Sequence, residues 1–256
     1  MTPTIEDLEI AESPFITKCS VDKFNTGNFS QVPIMMGNTH TETVSYIGFS
    51  KLFREGIING CLECMREYPD LQNTEQVKFL YDAKVRSKNN DSFTDDELNQ
   101  ISNVTSDISF NDGIDRTQKF LAASSAPVYY YRNSFDYPTC IHRIMGNKLD
   151  GVGHGDDIPQ IFWVPQRYQS LDLNSDIGIQ RQKMVRMWSN FAKYGNPTPK
   201  GTSDQLLNIK WPASGSEGTC LEIDSRLTVG SRPTDDFVKY IQSVKEPLLR
   251  NENGCQ

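Results

Sequence analysis

His154 is one of three histidines in this chain and stands in Gly151-Val152-Gly153-His154-Gly155-Asp156-Asp157, among small residues and two adjacent carboxylates. Glycines on both sides let the backbone turn tightly and present the imidazole uncrowded. Histidine is also the side chain whose ordinary pKa suits proton transfer near neutrality. The stretch reads as a polar loop offering a general base or, on the same residues, as a solvated turn. His40 and His142 read as surface or packing residues. Metal chemistry finds no pattern. Cys61 and Cys64 form a lone C-x-x-C, Cys19, Cys140, Cys220 and Cys255 are scattered, and a structural zinc site normally wants a second close pair. Asp172–Asp176 opens like a calcium loop, but Ile177 stands where the turn glycine belongs and Lys183 where the final glutamate does. Gly151-Val152-Gly153 is no dinucleotide fingerprint, because Asp156 takes the third glycine's place. Neither a metal nor a cofactor is expected.

Three stretches in order carry a resemblance. They are Val32-Pro33-Ile34-Met35-Met36-Gly37-Asn38-Thr39-His40-Thr41-Glu42, then Gly151–Asp157, then Arg186-Met187-Trp188-Ser189-Asn190-Phe191-Ala192-Lys193-Tyr194-Gly195-Asn196-Pro197. Together they resemble the C-terminal half of the type-B carboxylesterases, the family of cholinesterases and insect esterases. The resemblance implies an α/β-hydrolase fold, with residues 1–256 forming the C-terminal part of one carboxylesterase domain. It also implies a catalytic pair, Glu42 as the acidic triad member and His154 as the base. The two are 112 positions apart, in the acid-before-base order of that fold. Such an acid accepts the imidazole N–H, fixes the tautomer and stabilises the imidazolium. If the fold is kept, the two side chains should lie within hydrogen-bond reach. Glu42 alone would equally suit the first turn of a following helix. Thr43 stands where the family usually has glycine, which is expected to shift the carboxylate slightly.

The nucleophile is missing from these 256 residues. No G-x-S-x-G occurs: Gly48-Phe49-Ser50-Lys51 and Gly201-Thr202-Ser203-Asp204 continue with Leu52 and Gln205, and no His-Gly-Gly-Gly loop is present. Serine hydrolysis needs the attacking oxygen and the N–H donors that hold the oxyanion. The expectation is a partial carboxylic-ester hydrolase, inactive alone, whose substrate in the intact enzyme is a small ester. A non-catalytic, neuroligin-like adhesion relative is the rival, and the presence of both Glu42 and His154 weighs against it. Pro3-Thr4-Ile5-Glu6 resembles a phrase that the family carries before its acidic loop, so the chain reads as beginning mid-domain.

The elements that must position this pair are written in ordinary signals. Val32–Met36 is an apolar run ending in Gly37-Asn38, a buried strand running into a turn. Val44, Ile47 and Leu52 then recur at near-helical spacing. Thr94-Asp95-Asp96-Glu97 is a capping box. Ile114, Thr117 and Leu121 share one face of a further helix. Pro127–Arg132 is a strand rich in β-branched and aromatic residues, followed by a loop-like stretch to Arg167. Asp176 caps a helix with an apolar stripe of Met184, Met187, Trp188 and Phe191, stopped by Gly195 and Pro197. Cys220–Asp224 is a late strand. Phe237, Tyr240, Ile241 and Val244 mark a last helix, between a Thr234 cap and Pro247. Strands alternating with helices predict an α/β layer on a parallel sheet.

A net charge of −7 argues against a nucleic-acid surface. Hydrophobic content of 37% is ordinary for a soluble globular protein, and no run of about 18 apolar residues spans a membrane. Met1–Asp7 lacks the charged and apolar regions of a signal peptide. Sequons at Asn28, Asn90 and Asn103, with the resemblance, point instead to secretion, while the missing leader leaves a cytoplasmic location open.

Overall fold

The computed structural model describes residues 6, 9–10, 12–18, 20–167, 169–201 and 205–249. Pro3–Ile5, Cys19, Ser203 and Cys255, named above, lie outside the described residues.

A four-stranded sheet runs β1 (Ile34–Thr39), β2 (Val128–Asn133), β3 (Cys220–Ile223) and β4 (Thr228–Gly230), in that spatial order. The first three are parallel, with Ile34 opposite Val128 and Tyr130 opposite Cys220. β4 is antiparallel to β3, so the all-parallel expectation holds for three strands and fails at one end. A short antiparallel edge on a parallel sheet is common. β2 is central, and Val128 to Tyr131 are all buried, as a strand covered on both faces requires. Among the described residues β1 is paired on one side only.

Six helices lie between β1 and β2: α2 (Val44–Phe49), α3 (Lys51–Met65), α4 (Pro69–Gln72), α5 (Glu75–Lys88), α6 (Asp95–Ser106) and α7 (Asp112–Ala122), after a short α1 (Ser20–Asn25). The single helix suggested after Glu42 is broken at Ser50, whose extended backbone and hydroxyl cap α3 through Phe53 N–H. Leu52, which shares the helical spacing of Val44 and Ile47, lies on α3 and is 77% exposed, while those two are fully buried on α2. The capping box of α6 forms as its sequence reads: Glu97 N–H donates to Thr94 Oγ1 and Thr94 N–H to Glu97 Oε2. One core packs Ile47, Ile58, Met65, Leu80 and Ile101 against Phe237 and Ile241 of the last helix, α11 (Asp236–Leu249).

Between β2 and β3 come α8 (Ile141–Ile144), α9 (Ile158–Ile161) and α10 (Asp176–Tyr194), so two short helices interrupt the stretch expected to be loop. Ser175 rather than Asp176 caps α10, and Gly195 closes it in the left-handed region at φ +63. Met184 and Met187 are fully buried against Tyr131, Trp211 and Leu221 on the other sheet face, while Trp188 and Phe191 pack edge-on to Tyr131 and Tyr129. Asp235, not Thr234, caps α11 by accepting from Val238 N–H, and Pro247 lies inside that helix rather than ending it. No helix among the described residues is long and apolar enough to cross a membrane.

Candidate active site

β1 delivers Glu42. The strand ends at Thr39, and the turn His40–Thr43 folds the Glu42 side chain back under it. Thr39 N–H donates to Glu42 Oε1 at 2.8 Å. Glu42 is buried, so this bond and the one to His154 replace the water its carboxylate has lost. β2 aims the other partner less directly. His154 stands 21 residues beyond its end at Asn133, in a loop that is zipped onto the Glu42 turn by backbone bonds. Thr41 N–H donates to Val152 O at 3.1 Å, and His154 N–H to Glu42 O at 2.9 Å. Val152 N–H donates to Thr41 Oγ1 at 2.8 Å. Gly151 allows this latch: its φ is +120, and a Cβ there would overlap the Thr41 hydroxyl.

The structure brings the two predicted residues together. His154 Nδ1 is 2.8 Å from Glu42 Oε2. With the carboxylate ionised, Nδ1 is the donor, and the tautomer leaves the lone pair on Nε2. Nε2 has no hydrogen-bond partner among the described residues, and the His154 side chain is 54% exposed. A buried acid, an oriented imidazole and an Nε2 left without a partner among the described residues together can take a proton from a hydroxyl brought against Nε2.

Thr43 leaves that bond in place. Its side chain is fully buried, and its hydroxyl donates to Ser102 O at 2.9 Å and sits 2.7 Å from Thr105 Oγ1. Thr43 N–H donates to Ser106 Oγ at 3.1 Å. A polar pocket on α6 has taken up the side chain that a glycine lacks. A π-helical turn, Asp107–Asn111, follows α6 and packs Phe110 against the His154 ring, centroids 5.2 Å apart. Single π turns inside helices often mark functional positions. Neither Phe110 nor the Ser102/Thr105/Ser106 pocket had a sequence signal, because each depends on contacts about 44 to 63 residues away.

The two carboxylates after His154 have separate fates. Asp156 is fully buried and ion-paired with Arg167 at 2.8 Å. Asp157 is half-buried, burial raises its carboxyl above the ordinary range, and Tyr131 OH donates to it at 3.4 Å. His40 is exposed as a residue, beside a cavity of about 580 Å³ that also takes in Asp107, Arg132 and Asp235. Loss of water around its ring, then the Arg132 charge, lowers its pKa. His142, read as a surface or packing residue, is completely buried.

The sequence model described as "Carboxylesterase family" matches residues 1–241. The chain is 28% identical over 107 residues to the pyrethroid hydrolase Ces2a of Mus musculus, covering 42% of this chain and 18% of that one. It is 38% identical over 61 residues to the juvenile hormone esterase of Tribolium castaneum, covering 24% of this chain and 9% of that one. In structure it is similar to the juvenile hormone esterase of Manduca sexta, with a TM-score of 0.65 at 18% identity over 96% of this chain and 47% of that one. The chain thus spans under half the length of each of these proteins. The last comparison shows the fold, that of the α/β-hydrolase esterases.

Proposed function

Because this chain belongs to the carboxylesterase family, we propose that Glu42 and His154 are the acid and base of a serine-esterase triad, within the C-terminal portion of a carboxylesterase domain. The observation that carries this reading is the 2.8 Å bond between Glu42 Oε2 and His154 Nδ1, on an imidazole side chain that is 54% exposed. His154 takes the proton of an attacking serine hydroxyl at Nε2, then returns it to the leaving alcohol. Glu42 holds the tautomer and balances the imidazolium. The bond broken is the ester C–O, and the acyl group passes to serine and then to water. The serine and the oxyanion donors are supplied from outside these 256 residues, since no G-x-S-x-G stands within them. The one-sided pairing of β1 and the exposed Val32, Phe49 and Leu52 support the same reading, as surface that further strands and helices cover. The substrate class is a carboxylic ester, and secretion is proposed on the family's footing.

Two assays test this. The 256-residue chain alone should not hydrolyse a nitrophenyl ester above background. Turnover blocked by an organophosphate would place a nucleophile inside the chain and overturn the proposal. Co-produced with the serine-bearing half of a family esterase, the chain should support turnover that His154→Ala lowers by roughly 10⁴-fold or more. Unchanged turnover in that variant would remove His154 from the chemistry.

A further inference from the structure

Cys140 and His142, at the start of α8, and Asp156, in the His154 loop, are each fully buried. Cys140 Sγ, a ring nitrogen of His142 and a carboxylate oxygen of Asp156 all lie within 4.8 Å of one another. His142 makes this more than a polar cluster, because neither of its ring nitrogens has a hydrogen-bond partner among the described residues. A buried imidazole with both nitrogens unsatisfied loses the full solvation of both, which native interiors rarely tolerate. The Leu149 backbone biases the ring as an acceptor does, without reaching hydrogen-bond geometry. Asp156 is only partly used. Its Oδ1 accepts from Ile141 N–H and from Arg167, both at 2.8 Å, but among the described residues its Oδ2 accepts from Gly153 N–H alone. One lone pair remains on Oδ2.

We propose that Cys140 Sγ, a ring nitrogen of His142 and the Asp156 carboxylate bind one borderline divalent cation of the zinc class, which pins α8 to the loop carrying His154. The donor set, one thiolate, one imidazole and one carboxylate, is the mixture zinc takes and the hard cations avoid. Bonds of about 2.0–2.3 Å in a tetrahedron set ligands about 3.3–3.8 Å apart, so groups already within 4.8 Å of one another draw in by no more than about 1.5 Å. As the S–metal bond forms, the thiol proton leaves to the buffer and no electron is transferred. Thiolate and carboxylate give −2 against the ion's +2, and Arg167, already paired with Asp156 Oδ1, leaves the site mildly cationic. Loading the site stiffens the loop two residues from His154, whatever chemistry that histidine performs.

The chain carrying Cys19→Ser, Cys64→Ser and Cys255→Ser, which keeps the buried thiols, is stripped with chelator and titrated with Co²⁺. The expected result is one ion per chain, with a sulfur-to-cobalt charge-transfer band in the near ultraviolet. His142→Asn and Cys140→Ala should each weaken binding by more than the roughly 10–100-fold that loss of an outer-shell partner causes, and Cys140→Ala should abolish the band. No uptake, or uptake unchanged in both variants, overturns the proposal. If a variant fails to fold by circular dichroism, zinc-edge absorption of the parent chain decides: one sulfur with imidazole supports the site, and a shell without sulfur overturns it.

Discussion

Asp107 opens the π-helical turn that sets Phe110 on His154, and Asp107→Asn should stabilise this chain in a pH-dependent way. Burial first, and then the Asp235 carboxylate, push the Asp107 carboxyl up to about 7. An acid whose folded pKa lies above its unfolded value binds more protons folded than unfolded, so stability falls as pH rises between the two. Below the ordinary aspartate range, near 4, both states are protonated and Asp107 contributes nothing. The loss begins there, grows by about 1.4 kcal/mol per pH unit, and is complete above the folded value. Three pH units would give about 4 kcal/mol. The neighbouring carboxylate shares the proton, so the expected penalty at pH 8 is on the order of 1–4 kcal/mol. Asparagine removes the charge and keeps the contacts. Its oxygen can still accept from Asn111 Nδ2, now at 2.7 Å, and its amide can donate to Asp235 as a protonated carboxyl would. At roughly 2–4 °C per kcal/mol, the thermal midpoint at pH 8 should rise by several degrees, with little change at pH 4.5. An Asp107→Asn protein no more stable at pH 8, or equally stabilised at both pH values, would refute the reasoning.

Gly151→Ala should cost about 2–4 kcal/mol, through strain at φ +120 and a clash with the Thr41 hydroxyl that opens the Thr41–Val152 latch. Denaturant titration measures it, and a cost within 0.5 kcal/mol would show that the latch is unimportant. Of the four described cysteines, only Cys64 should react with iodoacetamide in the native chain. Burial pushes the Cys61 thiol to about 11, Cys220 to about 12 and Cys140 upward, and peptide mapping that finds any of these three labelled first would contradict the packing. The chain alone should bind a dye for exposed apolar surface, and supplying the complementary half should suppress that binding. A monodisperse monomer with a sharp melting transition and no dye binding would argue that β1 and the exposed Val32, Phe49 and Leu52 await no covering.

Local chemistry was legible in the sequence. Thr94 and Glu97 form the capping box their spacing spells, Gly195 ends its helix in the left-handed region, and the β-branched and aromatic run at Val128–Tyr131 is a strand buried on both faces. The cap and the helix stop depend on neighbours within about four positions, so the sequence carries the whole interaction, whereas the strand was marked by composition and is buried by partners 90 or more positions away. The pairing of Glu42 with His154, 112 positions apart, was legible only through resemblance to a family, because no local rule joins two loops. Ile114, Thr117 and Leu121 do share a helix, but burial on it departs from hydrophobicity. On α7 the deeply buried positions are Asp112, Asp115, Gln118 and Leu121, while Ile114 and Thr117 are only half-buried. The polar face is paid for by Arg232, 2.6 Å from Asp115 and 2.8 Å from Gln118, and by Lys245, 2.9 Å from Asp112. Those partners lie more than a hundred residues away in the chain. The Ser102/Thr105/Ser106 pocket that accepts Thr43, the placement of Phe110 on the His154 ring, and the convergence of Cys140, His142 and Asp156 were decided by tertiary structure alone. Polar and aromatic side chains acquire such roles from the partners that folding brings within 3 to 5 Å, and sequence spacing does not encode that distance.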